Sequence, residues 1–240
     1  MSETIYTFKR TEKKYLLSAE QYDALWARMQ THLEPDEYPV STVCSLYYDT
    51  DDYRLIRHSL DGPVYKEKLR LRSYNVPGPE DTVFVELKKK FKGVVYKRRV
   101  SMSAREASAW LDRGQPPAED SQMTREISWF LKSVEPAAKV YLACDRLAFR
   151  DREEPELRIT FDRNIRWRET ELELSAGDRG EPLLAPGQVL MEIKAPQAAP
   201  LWLAHLLSEL AIYPTSFSKY GTCYRDHILQ EYIFGGSVHA

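Results

Sequence analysis

Lys68, Arg70 and Arg72 stand at alternate positions of one segment, with Leu69 and Leu71 between them. Arg10-x-Glu12-x-Lys14, Glu86-Leu87-Lys88-Lys89-Lys90 and Lys97-Arg98-Arg99 follow a similar rhythm. Successive side chains of a β-strand point to opposite faces, so alternate residues share a face. Each segment therefore presents a cationic face on one side, and the leucines pack on the other. Lysine and arginine on strand faces are also common solvated features that discourage aggregation. Repetition over four or more strands favours a surface for a polyanion, because facing like charges are unfavourable unless an anion neutralises them. Arginine's planar fork matches phosphate oxygens, and lysine supplies a compact charge.

Carboxylates share these faces. Parity groups Glu12 with Arg10 and Lys14, Glu86 with Lys88, Asp162 with Arg158, and Glu192 with Lys194. Each acid could simply pair with a neighbouring cation. Glu192 differs, since Met191-Glu192-Ile193-Lys194 is an apolar strand in which an acid is costly. A carboxylate beside phosphate is repelled unless a divalent metal lies between them, and oxygen ligands with phosphate suit Mg²⁺ or Mn²⁺. Glu192 is the leading metal-ligand candidate, with Glu12 and Glu86 behind it.

Composition narrows the classes. The 240 residues are 43% hydrophobic and 29% charged, enough for a packed core. Lys+Arg 34 against Asp+Glu 36 leaves a net charge of −2, unlike the overall basic footprint of a nucleic-acid coat. Cys44, Cys144 and Cys223 are far apart, odd in number and without a C-x-x-C pair, which argues against a disulfide or zinc scaffold. The five histidines show no metal-ligand spacing, and phosphate-loop, dinucleotide and nucleophile-elbow glycine motifs are missing. The 15 tyrosines read as core and rim rather than as base-stacking groups. No run reaches the roughly 20 apolar residues of a membrane span, and the N-terminus lacks a signal peptide's apolar core, so a cytoplasmic protein is expected.

The elements that must position these groups are legible. Strands are expected at Ile5–Leu17, Val40–Tyr48, Tyr65–Tyr74, Thr82–Phe91, Val94–Met102, Val140–Phe149, Leu157–Arg168 and Val189–Lys194, with an edge extension at Glu171–Leu174. Ser18 and Gln21 form a capping box before a helix, and Ser103 with Glu106 opens another that ends near Gly114. Further helices are expected at Ser121–Ser133, Pro200–Leu210 and Phe217–Phe234. Short links favour antiparallel neighbours, and no linker divides the chain. An α+β fold in one domain, an antiparallel barrel or strongly curved sheet flanked by helices, is the economical arrangement.

The ordered series Arg10-x-x-x-Lys14-Tyr15, Lys68-x-Arg70-x-Arg72-x-Tyr74, Phe84-Val85-Glu86-x-Lys88, Lys97-x-Arg99, Arg146-x-Ala148-Phe149, Arg158-Ile159-Thr160-x-Asp162, Glu192-x-Lys194 and Ser218-Lys219-Tyr220 resembles the VTC domain. That domain is the polyphosphate polymerase module of the vacuolar transporter chaperone complex, in the triphosphate tunnel metalloenzyme (CYTH-like) superfamily. The resemblance spans about Phe8 to Arg225. It implies an eight-stranded antiparallel β-barrel tunnel that binds a triphosphate. By position, Arg10, Lys14, Arg70, Arg72, Lys88, Lys97, Arg146, Arg158 and Lys219 would grip phosphate, Ser218 would touch one, and Glu192 would hold Mn²⁺ or Mg²⁺. The shared faces add Lys68, Arg99 and Lys194. Arg98 and Arg99 leave the register around Lys97 open. Lys14, Arg70, Arg72, Lys88, Arg146 and Lys219 form the expected catalytic set.

Hydrolytic and cyclase relatives start with E-x-E-x-K, whereas this chain has Arg10-x-Glu12-x-Lys14. An arginine in place of an acid exchanges a metal ligand for a phosphate grip. The expected activity is therefore transfer of the terminal phosphoryl group of ATP, or of another triphosphate, onto polyphosphate. Triphosphate hydrolysis and non-catalytic polyanion binding are the alternatives. A nucleic-acid partner is not expected. Membrane insertion is not expected either, although a separate membrane partner is compatible with the family.

Overall fold

The computed structural model describes residues 11–196 and 198–234. Nine strands pair in the order β1-β9-β7-β6-β2-β3-β4-β5, and β8 pairs with β7. They are β1 (Thr11–Leu17), β2 (Leu33–Asp49), β3 (Tyr65–Tyr74), β4 (Thr82–Phe91), β5 (Val94–Ser103), β6 (Ala137–Asp151), β7 (Arg158–Arg168), β8 (Glu181–Pro182) and β9 (Val189–Ala195). The helices are α1 (Ala19–Met29), α2 (Arg54–Leu60), α3 (Ala104–Arg113), α4 (Gln122–Val134), α5 (Leu201–Glu209), α6 (Lys219–Cys223) and α7 (Leu229–Phe234).

The expectation of a closed eight-stranded barrel is corrected here. Among the described residues no pairing joins β1 to β5, so the nine-stranded sheet keeps two ends. The expected edge at Glu171–Leu174 is also absent. A 3₁₀ turn covers Leu174–Ala176, and the short strand forms later, at Glu181–Pro182. β2 begins at Leu33, seven residues before the expected start, because Glu34, Asp36 and Glu37 hid its alternation. The last helix is divided by a π-helical turn over Tyr224–Ile228.

The chain forms two compact units. One comprises residues up to Ser41, Asp145–Asn164 and Leu184–Phe217; the other comprises Thr42–Cys144, Ile165–Leu183 and the chain from Ser218. In the first, Tyr15, Phe161, Met191 and Ile193 pack under Tyr22, Leu25 and Met29 of α1 and Leu203 and Leu206 of α5. The apolar residues of α1 recur every three or four positions, the spacing that gives a helix one buried face. Its start is fixed by the capping box: Ser18 Oγ accepts from the Gln21 amide and Gln21 Oε1 from the Ser18 amide, both at 3.2 Å.

In the second unit Leu69, Leu71, Val85, Leu87 and Val100 form the inner face of β3, β4 and β5. They pack against Trp110 of α3 and Ile127 and Phe130 of α4. Ser103 caps α3 by accepting from the Glu106 amide at 3.2 Å. Gly114 ends that helix at φ +68°, a conformation glycine reaches without a Cβ penalty. Cys44, Cys144 and Cys223 are free and buried. Among the described residues no helix is long and apolar enough to cross a membrane.

Candidate functional site

In the second unit the antiparallel register lines up three rows on the face opposite the core. Tyr47, Arg70, Glu86 and Arg99 form one row across β2, β3, β4 and β5; Ser45, Arg72, Phe84 and Ser101 form the next. Lys68, Lys88 and Lys97 form the third. This face gathers six cations around one carboxylate. Arg98 falls on the opposite side, where it donates to Glu126 of α4 at 2.9 Å, so the open register resolves to Lys97 and Arg99.

Glu86 is 1% exposed and organises the face. Its Oε2 accepts from Arg70 Nε at 2.6 Å, while its Oε1 accepts from Arg99 Nε and Lys97 Nζ at 2.6 Å. Burial pushes the Glu86 carboxyl pKa up, but Arg70, Arg72 and Lys97 outweigh it and hold the group well below the carboxylate range. Both oxygens are thus engaged by cations, which is the ion-pair role open to this acid from the start. Lys97 is pushed down by burial, partly offset by Glu86.

Two neutral residues not among the sequence candidates belong to this face. Arg70 donates to the Tyr47 hydroxyl at 3.3 Å and Arg72 to Ser45 Oγ at 3.3 Å. Burial pushes the Tyr47 phenol up, but Arg70, Arg72 and Lys68 bring it down to about 8. The sequence signal was parity within Cys44-Ser45-Leu46-Tyr47-Tyr48, blurred because the stretch Val43–Asp49 is buried on both faces. Lys68 Nζ donates to Ser218 Oγ at 3.0 Å. The same oxygen caps α6 by accepting from Gly221 N. Ser218 therefore enters this neighbourhood through Lys68, and Lys219 follows it as the first residue of α6. Tyr220 donates to buried Asp49 at 2.9 Å, and Asp49 also accepts from the Leu55 and Ile56 amides at the start of α2.

The first unit carries a second polar cluster, again on the face opposite its core. Lys14, Glu192 and Thr160 form one row across β1, β9 and β7, and Glu12, Lys194 and Arg158 form the next. Lys14 Nζ lies 3.5 Å from Glu192 and 3.8 Å from Glu12, and it donates to the Phe217 carbonyl at 3.1 Å. Glu192 is 7% exposed. Arg146 binds fully buried Asp162 in bidentate fashion at 2.6 and 2.7 Å and reaches Glu192 at 4.0 Å. Asp162 is thus the partner of Arg146 and not of Arg158, which pairs with Asp36 instead. Arg10 lies outside the described residues.

Among the described residues no group of three or more His, Cys, Asp or Glu side chains gathers as a metal site. The oxygen set in the first unit nevertheless suits a hard divalent ion. Glu192 and Glu12 share one ammonium, and the Thr160 hydroxyl beside Glu192 is buried without a hydrogen-bond partner. Mg²⁺ is commonly held by one or two carboxylates, with water and substrate phosphate completing its shell.

Sheet, rows and acids together give an antiparallel sheet with a cationic face in one unit and an acid-and-cation cluster in the other. The family model for the VTC domain matches residues 9–227, and the chain belongs to that family. Two solved structures share the fold. A candidate adenylate cyclase from Bacillus halodurans superposes with a TM-score of 0.55 at 15% identity, covering 86% of this chain and 92% of its own. A candidate adenylyl cyclase from Hippeastrum, reported to have a dominant triphosphatase activity, gives 0.52 at 14% identity, covering 90% and 94%. Comparison with curated proteins found no match.

Proposed function

We propose that this chain, acting as one functional module in the cytoplasm, is a metal-dependent polyphosphate polymerase that transfers the terminal phosphoryl group of ATP onto polyphosphate. The carrying observation is the face of six cations whose single acid, Glu86, is already engaged by three of them. Such a face carries more cations than acids, which suits phosphate, and its acid Glu86 is engaged rather than poised to act as a base. A polyphosphate acceptor is already an anion and needs none. An acceptor oxygen attacks the terminal phosphorus, the bond to the bridging oxygen breaks, and ADP leaves with the electron pair. Because phosphoryl transfer is largely a matter of positioning and charge stabilisation, cations supply most of what it requires.

Arg70, Arg72, Lys88, Lys97 and Arg99 are assigned to phosphate binding, with Lys68, Ser218 and Lys219 beside them. Glu86 holds two of the arginines in place. Lys14 and Arg146 steady Glu192, and Arg158 and Lys194 add positive charge nearby. Glu192 and Glu12, with Thr160 adjacent, would hold Mn²⁺ or Mg²⁺; a bound ion polarises phosphoryl oxygens. Arg10 keeps its expected phosphate role. A separate membrane partner for product chains is compatible with this reading.

Product analysis with labelled ATP and Mn²⁺ tests the proposal. Long-chain polyphosphate with ADP is expected. Release of orthophosphate alone would establish the second reading, triphosphate hydrolysis, which the activity reported for the Hippeastrum protein favours. Phosphate binding without any turnover would leave a polyanion-binding module.

A further inference from the structure

The three-strand end of the second unit carries apolar side chains that its core does not use. Phe91 and Val94 flank the β4–β5 turn at 45% and 50% exposure, and Tyr65 pairs across from Phe91. On the other side of the same strands Val95 is also exposed, in register with Lys90 and Lys66. Trp129 of α4, 65% exposed, shares a groove of about 280 Å³ with Lys89 and Arg125. The Arg98–Glu126 ion pair ties α4 to β5 beside it. Phe91 and Val94 lie off the phosphate face, on the side of Leu69 and Leu87, whereas Val95 with Lys90 and Lys66 continues the phosphate face one row beyond Lys68, Lys88 and Lys97.

Lysines outnumber acids around the turn. Lys89, Lys90 and Lys92 crowd the turn, and Lys66 lies directly opposite Lys90. Burial and the Lys90 charge both push the Lys66 ammonium pKa down, and Lys66 Nζ donates to the Ser59 carbonyl at 3.2 Å. Glu67, beside Lys89 at 3.6 Å, is the acid paired there. Apolar groups on both sides of a tight turn make a wedge, not a flat face. Trp and Tyr concentrate at the membrane–water boundary, and lysine stems lie along apolar surface while their charges reach the headgroups.

We propose that this wedge docks the protein on an anionic lipid surface, with Phe91, Val94 and Trp129 at the acyl boundary and Lys89 and Lys92 on the headgroups. Docking is peripheral and spans nothing. It leaves the phosphate face to its own ligand.

Vesicle flotation tests it, using phosphatidylcholine alone and phosphatidylcholine mixed with phosphatidylglycerol, with and without tripolyphosphate. The protein should float with the anionic vesicles, lose binding as salt rises, and keep it when tripolyphosphate is present. The double variant Phe91→Ser/Val94→Ser should bind about tenfold more weakly or worse, as should Lys89→Glu/Lys92→Glu, each retaining tripolyphosphate binding as a control of folding. Brominated lipid should quench the wild type more than Trp129→Phe. Absence of flotation would overturn the proposal. So would flotation abolished by tripolyphosphate yet indifferent to the Phe91 and Val94 changes, since headgroups would then occupy the phosphate face. A wild-type oligomer dissolved by those same changes would assign the wedge to self-association and equally overturn it.

Discussion

At the scale of single residues, the second unit shows how one carboxylate makes a cationic face tolerable. Removing one partner of a buried ion pair is costly because the other charge stays behind, and Glu86 is placed to prevent that for Arg70 and Arg99. Tyr47 gives this face a pH dependence. Its pKa is held near 8, against 10 for an ordinary tyrosine. Between those values the unfolded chain keeps a proton that the folded chain has lost, so this group adds stability as pH rises through that window. The phenolate also cancels part of the arginine charge, so triphosphate affinity should fall over the same window. Tyr47→Phe should flatten both trends in denaturant melts and triphosphate titrations at pH 7 and 9; unchanged trends in the variant would assign them elsewhere. Glu192→Gln tests the other cluster. Metal stabilisation of a phosphoryl group is worth several kcal/mol, and 1.36 kcal/mol is tenfold in rate, so turnover should drop about 100-fold or more. Triphosphate binding by Arg70 and its neighbours should persist in that variant, as calorimetry would show.

At the scale of elements, parity is the positioning device. A strand with one core-packed face has a strongly specified register, since a one-residue slip would exchange every side chain between core and solvent. Leu69 and Leu71 thereby fix where Lys68, Arg70 and Arg72 point, and Val100 does the same for Lys97 and Arg99. The loop after β7 depends instead on one arginine. Arg168 donates to the carbonyls of Glu171, Glu173, Gly177 and Arg179 at 2.7–3.2 Å and lies 3.6 Å over the Tyr141 ring. Lysine cannot reproduce this planar fork. Arg168→Lys should lower unfolding free energy by roughly 1.5–3 kcal/mol, the scale of a charged hydrogen bond, with proteolysis of 169–180 as a local readout. A variant as stable as the wild type would show that the loop is held by other contacts.

At the scale of the whole molecule, the proposed ligand should be visible as stability. A ligand that binds only the folded state at 100 times its Kd contributes about 2.7 kcal/mol. In a chain of this size each kcal/mol is worth about 2–4 °C. Tripolyphosphate should therefore raise the melting temperature by about 5–10 °C. A melting curve unmoved by saturating tripolyphosphate would remove the phosphate assignment from both clusters together.

Much of this molecule could be read from the chain alone. β3 and β4 match their expected ends residue for residue, and Ser18, Ser103 and Ser121 cap helices at or next to the expected starts. These features are local: parity, a cap or a turn involves residues a few positions apart. The cationic character of Lys68, Arg70, Arg72 and Lys88 was likewise plain from their spacing. Pairing was not. That Glu86 joins Arg70 to Arg99, that Asp162 takes Arg146, and that Tyr47 and Ser45 stand beside the arginines depend on strand neighbours and register. Whether the sheet closes is also beyond local sequence, because it depends on the pairing of strands at opposite ends of the hydrogen-bonded order. The chain dictated which residues would share a face; only tertiary packing decided which faces meet, because the energy of a buried ion pair depends on distances that no spacing along the sequence encodes.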